Sequence, residues 1–206
     1  MSSYPIPYVT TRTQQGERTV DIYSRLLADR VIYVGTAIDD GVANVVIAQL
    51  LHLESDNPDL PITLHINSPG GSIAAMLAIY DAMAFVRPRI ETTCVGQAVS
   101  VAAVLLAGGT RGYRTILPHG RVVLHAPVAE GRGAIPDLIL EAEEVERVRT
   151  MLEDILAEHT QKSSVQIRTD TDRDLILTAQ GAVEYGVVDA VVKSRSAAVA
   201  MASDQP

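Results

Sequence analysis

One cysteine, no tryptophan and a single phenylalanine among 206 residues set the first limits. A lone Cys94 rules out an intrachain disulfide and suits a reducing compartment, so the cytoplasm is the expected location. Tyrosine supplies the other seven aromatics, which leaves a core built from Val, Ile, Leu and Ala. Basic residues are in deficit, 17 against 25 acidic, for a net charge of −8. That balance argues against nucleic acid or an anionic membrane as partner. No apolar run is long enough to span a bilayer, and the longest, residues 99–106, reads as a buried helix. The opening Met1-Ser2-Ser3-Tyr4-Pro5 has neither a basic nor an apolar signal region, so no secretory signal is expected. There is no Gly-x-x-x-x-Gly-Lys loop, so the chain itself is not expected to use ATP. Five histidines occur without a His-Glu-x-x-His motif or a cysteine pair, and no metal site is expected.

What is present fits one folded domain. The chain is 47% hydrophobic, with 14 Gly and 10 Pro as punctuation. Residues 1–16 read as a flexible or extended arm, 17–193 as the folded domain, and 194–206 as a small, polar, disordered tail. Helical spacing begins at residues 20–27. Strands are expected at 30–35, 62–66, 90–95, 114–117 and 121–125, each rich in β-branched residues. Helices are expected at 42–53, after the capping pair Asp39-Asp40, and at 72–86, ended by Pro88. A long helix at 137–159 carries an apolar stripe of Leu138, Ala142, Val145, Val148, Leu152 and Ile155. Residues 168–174 read as a charged loop, and 187–192 as a last strand. Repeated strand–helix units with short loops predict an α/β fold.

One stretch organises the rest. Residues 90–95 lead through Gly96 into an Ala-rich apolar run, with Ser100 at the mouth of a predicted helix. A hydroxyl there meets free N–H groups and the positive end of the helix dipole. The position suits a nucleophile whose reaction makes an oxyanion. It equally suits an N-cap serine, and the stretch by itself favours the cap. Its Gly-x-x-x-Ser spacing differs from the Gly-x-Ser-x-Gly elbow. A nucleophilic serine also needs an imidazole, a carboxylate to orient it and donors for the oxyanion. His125, at a strand end, is a candidate base. Asp170, Asp172 and Asp174 share one polar loop, and composition does not choose among them. Gly70-Gly71 opens a helix, where Gly71 and Val101 are candidate backbone donors at two helix mouths.

Five motifs in this order carry a family resemblance. They are Gly-Glu-Arg with Asp-Ile-Tyr-Ser-Arg-Leu-Leu (16–27), Asn-Ser-Pro-Gly-Gly (67–71), Gly-Gln-Ala-x-Ser (96–100), Leu-Pro-x-x-Arg-Val-x-x-His (117–125) and Asp-Thr-Asp-Arg-Asp (170–174). Together they resemble the proteolytic subunits of the ATP-dependent Clp protease, over about residues 6–192. The resemblance implies a crotonase-like ββα superhelix with a long handle helix, and two stacked seven-membered rings around a chamber. By motif it implies Ser100 as nucleophile, His125 as general base and Asp174 as the orienting carboxylate, with Gly71 and Val101 N–H groups as the oxyanion hole. Asp172 and Arg173 match positions that pair between rings. The chain would need no cofactor; a partner AAA+ Clp ATPase would use ATP to unfold proteins and thread them in.

Three departures from the family pattern stand out. Ala126 follows His125 where the family usually has Gln, and Ala129-Glu130 stands where it has a Gly pair. Thr63, His65 and Thr115 occupy positions that usually hold aromatic anchors for the ATPase loops. Such losses weaken a contact by roughly 2 kcal/mol each. They raise a second expectation, a weakly active or regulatory paralogue working in mixed rings beside another subunit of the family. An acyl-CoA enzyme of the wider fold could use the same Gly-rich turns, but His125 and Asp174 at the family's spacing count against it.

Overall fold

A computed structural model describes residues 5–13, 16–127 and 133–194. Ala129-Glu130 and the tail from 195 onward lie outside the described residues. Strand β1 (Tyr8–Thr13) pairs antiparallel with β2 (Gly16–Asp21) as a sheet of its own. Part of the expected arm is therefore paired backbone, and the Thr10 and Thr19 hydroxyls meet across the hairpin at 3.0 Å. Helix α1 (Ile22–Ala28) starts later than its spacing suggests, because the Asp21 carboxylate caps the N–H groups of Tyr23 and Ser24 and leaves Val20 in the strand.

The other described strands form one seven-stranded sheet. Strands β3 (Val31–Val34), β4 (Ile62–Ser68), β5 (Ile90–Val99), β6 (Arg114–Ile116) and β9 (Ala190–Val191) lie side by side in that order, all parallel. Along β4 the residues alternate, with Ile62, Leu64, Ile66 and Ser68 buried and Thr63 and His65 half-exposed. Helices α2 (Asp40–Asp56) and α3 (Ile73–Phe85) bury their apolar positions, including Leu50, Met76 and Ile79, in the same core. All seven residues of α4 (Val101–Ala107) are buried. Its three alanines let it sit in the middle of the core, which accounts for the composition of that run. The mixed α/β architecture with a parallel sheet is the expected class.

Strand β5 branches, and this builds the site. Its residues 92–94 pair with β6, whereas 97–99 pair with β7 (Arg121–Leu124). Strand β7 then pairs antiparallel with β8 (Leu175–Thr178). Gly96 lies inside β5, so the chain turns at Ser100 and not at the glycine.

Helix α5 (Ile135–Thr160) runs 26 residues, and its buried residues are Leu152, Glu153, Leu156 and Thr160. Its first turns stand off the body, with Ile135 76%, Ile139 54% and Leu140 65% exposed. The apolar stripe thus packs on this chain only in its second half. Helix α6 (Ser164–Asp170) replaces the first half of the expected charged loop: Ser163 caps the Gln166 N–H, and Ile167 is fully buried. Helix α7 (Ala179–Tyr185) starts at Thr178, whose hydroxyl accepts the Gly181 N–H.

Candidate active site

Ser100 occupies an unusual backbone position, with φ 57° and ψ −124°. A non-glycine residue held there costs on the order of 1–3 kcal/mol and persists only when its surroundings impose it. They do so here. The Val99–Val123 pairing fixes the preceding residue, and the Ser100 N–H donates to the Val123 carbonyl at 2.8 Å. The side chain makes no capping hydrogen bond. The N-cap reading of Ser100 therefore fails for the hydroxyl, which is left half-exposed at the end of a buried helix.

The same ladder delivers the other two candidates. Val123 pairs with Ile176 and Leu124 with Leu175, so one step further places His125 opposite Asp174. His125 is half-buried, and its Nδ1 lies 2.8 Å from the Ala126 carbonyl oxygen. Asp174 is exposed and makes no hydrogen bond or ion pair among the described residues. Ser100 and His125 line one small pocket of about 40 Å³. The strand tips thus bring all three candidates to one end of the sheet, while the ring itself bonds to Ala126 and not to Asp174.

The Gly70-Gly71 turn closes the other side. Gly70 has φ +99°, and a Cβ there would come within 3.1 Å of Ser100 Cβ. Gly71 has φ +152°, and a Cβ would collide with the Ile38 backbone. Ile38 bridges the turn: its N–H donates to Gly70, and its carbonyl accepts from Ser72. The Gly71 N–H stays outside that bridge. Val101 opens α4, so its N–H has no intrahelical acceptor. The Gly70 backbone thus lies beside Ser100, and the next residue, Val101, carries a free helix N–H.

The pocket wall reveals residues that sequence reading overlooked. Ile73, Leu152, Leu156 and Ile167 supply apolar surface, and Arg149 and Glu153 a polar edge. Glu153 is 5% exposed and accepts from Arg149 Nε and Arg168 Nε, each at 2.8 Å. The available signal was a glutamate set between Leu152 and Leu156 on the buried side of α5. Asp172 and Arg173 lie exposed in the turn before β8, with no side-chain partner among the described residues. Thr63, His65 and Thr115 share the outward face of the sheet, and register aligns Tyr33, His65, Thr93 and Thr115 in one row. The Thr93 and Thr115 hydroxyls bond at 2.9 Å. Among the described residues no His, Cys, Asp and Glu group is arranged to hold a metal, and no helix is long and apolar enough to cross a membrane.

A half-exposed serine on a strained strand-to-helix turn, a histidine on the same pocket and a free N–H at the start of α4 are equipment of a serine hydrolase. Comparison with known proteins narrows the class. The family model described as Clp protease matches residues 14–195. The chain is 58% identical to ATP-dependent Clp protease proteolytic subunit 4 of Rhodococcus jostii, over 93% of this chain and 99% of that one. It is 56% identical to proteolytic subunit 1 of Nocardia farcinica, over 95% of this chain and 100% of that one. It is also 56% identical to proteolytic subunit 2 of Streptomyces avermitilis, over 97% and 100% respectively. The chain belongs to the Clp protease family and, with it, to the serine-type peptidases.

Proposed function

We propose that this chain is a Clp-type endopeptidase that cleaves unfolded polypeptides with Ser100 as its nucleophile. The observation that carries the reading is the strained Ser100 turn sharing a pocket with His125, in a chain of this family. His125 Nε2 takes the hydroxyl proton as Ser100 Oγ attacks the peptide carbonyl. The resulting oxyanion is met by the Gly71 and Val101 N–H groups. The histidine then gives its proton to the leaving amine, and water releases the acyl group by the reverse sequence. Asp174, opposite the ring, stabilises the imidazolium that forms. The apolar wall beside Ser100 receives a side chain of the substrate.

The reading places the chain in the cytoplasm, in heptameric rings stacked as a fourteen-subunit barrel. There α5 and the exposed Asp172-Arg173 pair meet the opposite ring. No cofactor belongs to this chain; ATP is used by the partner AAA+ Clp ATPase. A second reading, a subunit of mixed rings in which another Clp subunit does the docking, draws on the polar row of His65, Thr93 and Thr115. Activity of Ser100→Ala and His125→Ala on a short fluorogenic peptide tests the first reading. Loss in both supports it, and cleavage surviving in Ser100→Ala contradicts it. Solution mass and cleavage by the chain alone, then with a second Clp subunit added, separate the two readings.

A further inference from the structure

We propose that Tyr185 and Asp170 form a latch that positions Asp174 opposite His125. The proposal rests on the roles given above to His125 and Asp174. Asp170 opens the motif Asp-Thr-Asp-Arg-Asp, and neither the catalytic set nor the ring contacts use it. It is the last residue of α6, where a carboxylate meets the negative end of the helix dipole. The dipole disfavours an aspartate there, and its two partners offset that cost. Asp170 Oδ1 accepts from Gln166 Nε2 at 2.6 Å, and Oδ2 accepts from the Tyr185 hydroxyl at 3.0 Å.

Tyr185 is a firm anchor for that bond. Its half-buried ring packs against the core at the end of α7, and the Lys162 ammonium lies 5.4 Å from the ring centroid. Gly186 follows with φ +95°, and its backbone sits so close to the end of α5 that a Cβ would lie 2.6 Å from the Thr160 carbonyl oxygen. The ring therefore cannot shift without moving α7 against α5. Burial and the Asp170 carboxylate both push the Tyr185 phenol above its usual range, so the hydroxyl remains a donor at neutral pH.

The chain from Asp170 to Asp174 is a short turn held at both ends. Thr171 is buried, its hydroxyl donates to the Ile167 carbonyl at 2.7 Å, and its own carbonyl accepts the Ala126 N–H at 3.1 Å. The start of the turn is thus tied to the residue after His125. At the far end Leu175 pairs with Leu124, the residue before His125. Arg168 holds the α5 side of α6 through Glu153, and Tyr185 holds its last residue from α7, so the helix is gripped between the two. The latch sets where the turn leaves α6, and the β7–β8 ladder sets where it arrives. Tyr185 and Asp170 touch no substrate; they are positioning residues that act through Asp174.

The test is Tyr185→Phe in the full chain, assembled as it purifies. This variant keeps the ring and loses only the donor. A displacement of about 1 Å at a catalytic group costs about 10²-fold in rate. On a short fluorogenic peptide kcat should therefore fall by at least about tenfold, with KM within about twofold of the parent. Asp170→Ala should fall as far. Asp170→Asn keeps an amide oxygen for the tyrosine hydroxyl, and Gln166 can turn its own oxygen toward the new amide, so kcat should stay within about threefold of the parent. In an Asp174→Ala background Tyr185→Phe should cost less than about threefold, because the carboxylate it positions is gone. A kcat loss below about tenfold in Tyr185→Phe, or a loss as large without Asp174 as with it, overturns the proposal and leaves the Ser100 reading intact. So does Asp170→Asn falling as far as Asp170→Ala. Cleavage persisting in Ser100→Ala overturns both.

Discussion

Glu153 and Arg168 are joined at 2.8 Å across two helices, and the carboxylate between them and Arg149 is 5% exposed. Arg168 also reaches Glu146 and the Thr150 hydroxyl, so one guanidinium fastens α6 along two turns of α5. Glu153 and its other partner, Arg149, line the pocket that holds Ser100 and His125. Packing of the long helix and the floor of the site are therefore the same contact.

Removing one partner of such a pair strands the others. Glu153→Gln removes the negative charge that Arg149 and Arg168 share and turns one of its two acceptor oxygens into a donor, and should cost about 3 kcal/mol. Urea unfolding at fixed protein concentration measures this. A change below about 0.5 kcal/mol would mean that the ion pairs contribute nothing net.

Gly71 is constrained twice, by its positive φ and by the Ile38 backbone. Gly71→Ala adds backbone strain of about 1–3 kcal/mol to a collision that only movement of the turn relieves. Movement displaces the proposed oxyanion donor, so kcat should fall by at least about 10²-fold. Peptide cleavage by a folded Gly71→Ala sample, verified by circular dichroism, checks it. Unchanged kcat would remove this turn from the mechanism.

Acid sensitivity should be traceable to Asp189. Burial by itself would raise its carboxyl, but hydrogen bonds from the Arg114 side chain and backbone and from the Gly112 N–H outweigh burial and hold it below the usual range. A carboxyl lowered by folding contributes stability that is complete above its unfolded value, about pH 4, and is lost as pH falls through the folded value. Asp189→Asn should lose about 3 kcal/mol at neutral pH, because it leaves the Arg114 guanidinium buried and unpaired. Its unfolding free energy should also change less than the parent's between pH 5 and roughly pH 2. Parallel curves for the two proteins would place the acid-sensitive group elsewhere.

Sequence patterns revealed most of the frame because the strands and helices carry strong local signals. The β-branched run of β4, the Asp39 cap of α2 and the Thr178 cap of α7 each act within a few residues. The motifs named candidate site residues but carried none of their geometry. Ser100 sits at a positive φ because β5 pairs with β7 across about 24 residues of chain, a constraint that spacing alone does not show. Helix α6 was hidden because seven largely polar residues with one buried Ile167 make too short a pattern. The pairing of His125 with Ala126, instead of Asp174, depends on how two strand tips end, which no local signal encodes.

The central claim is that Ser100 is the nucleophile, and a fluorophosphonate probe tests it most directly, because only an activated serine reacts with it. The intact chain should take up one adduct, located by peptide mapping at Ser100, and peptide cleavage should cease as labelling completes. Ser100→Ala should take up none. A preparation that cleaves peptide without labelling at Ser100, or one labelled at another residue with loss of activity, would contradict the account.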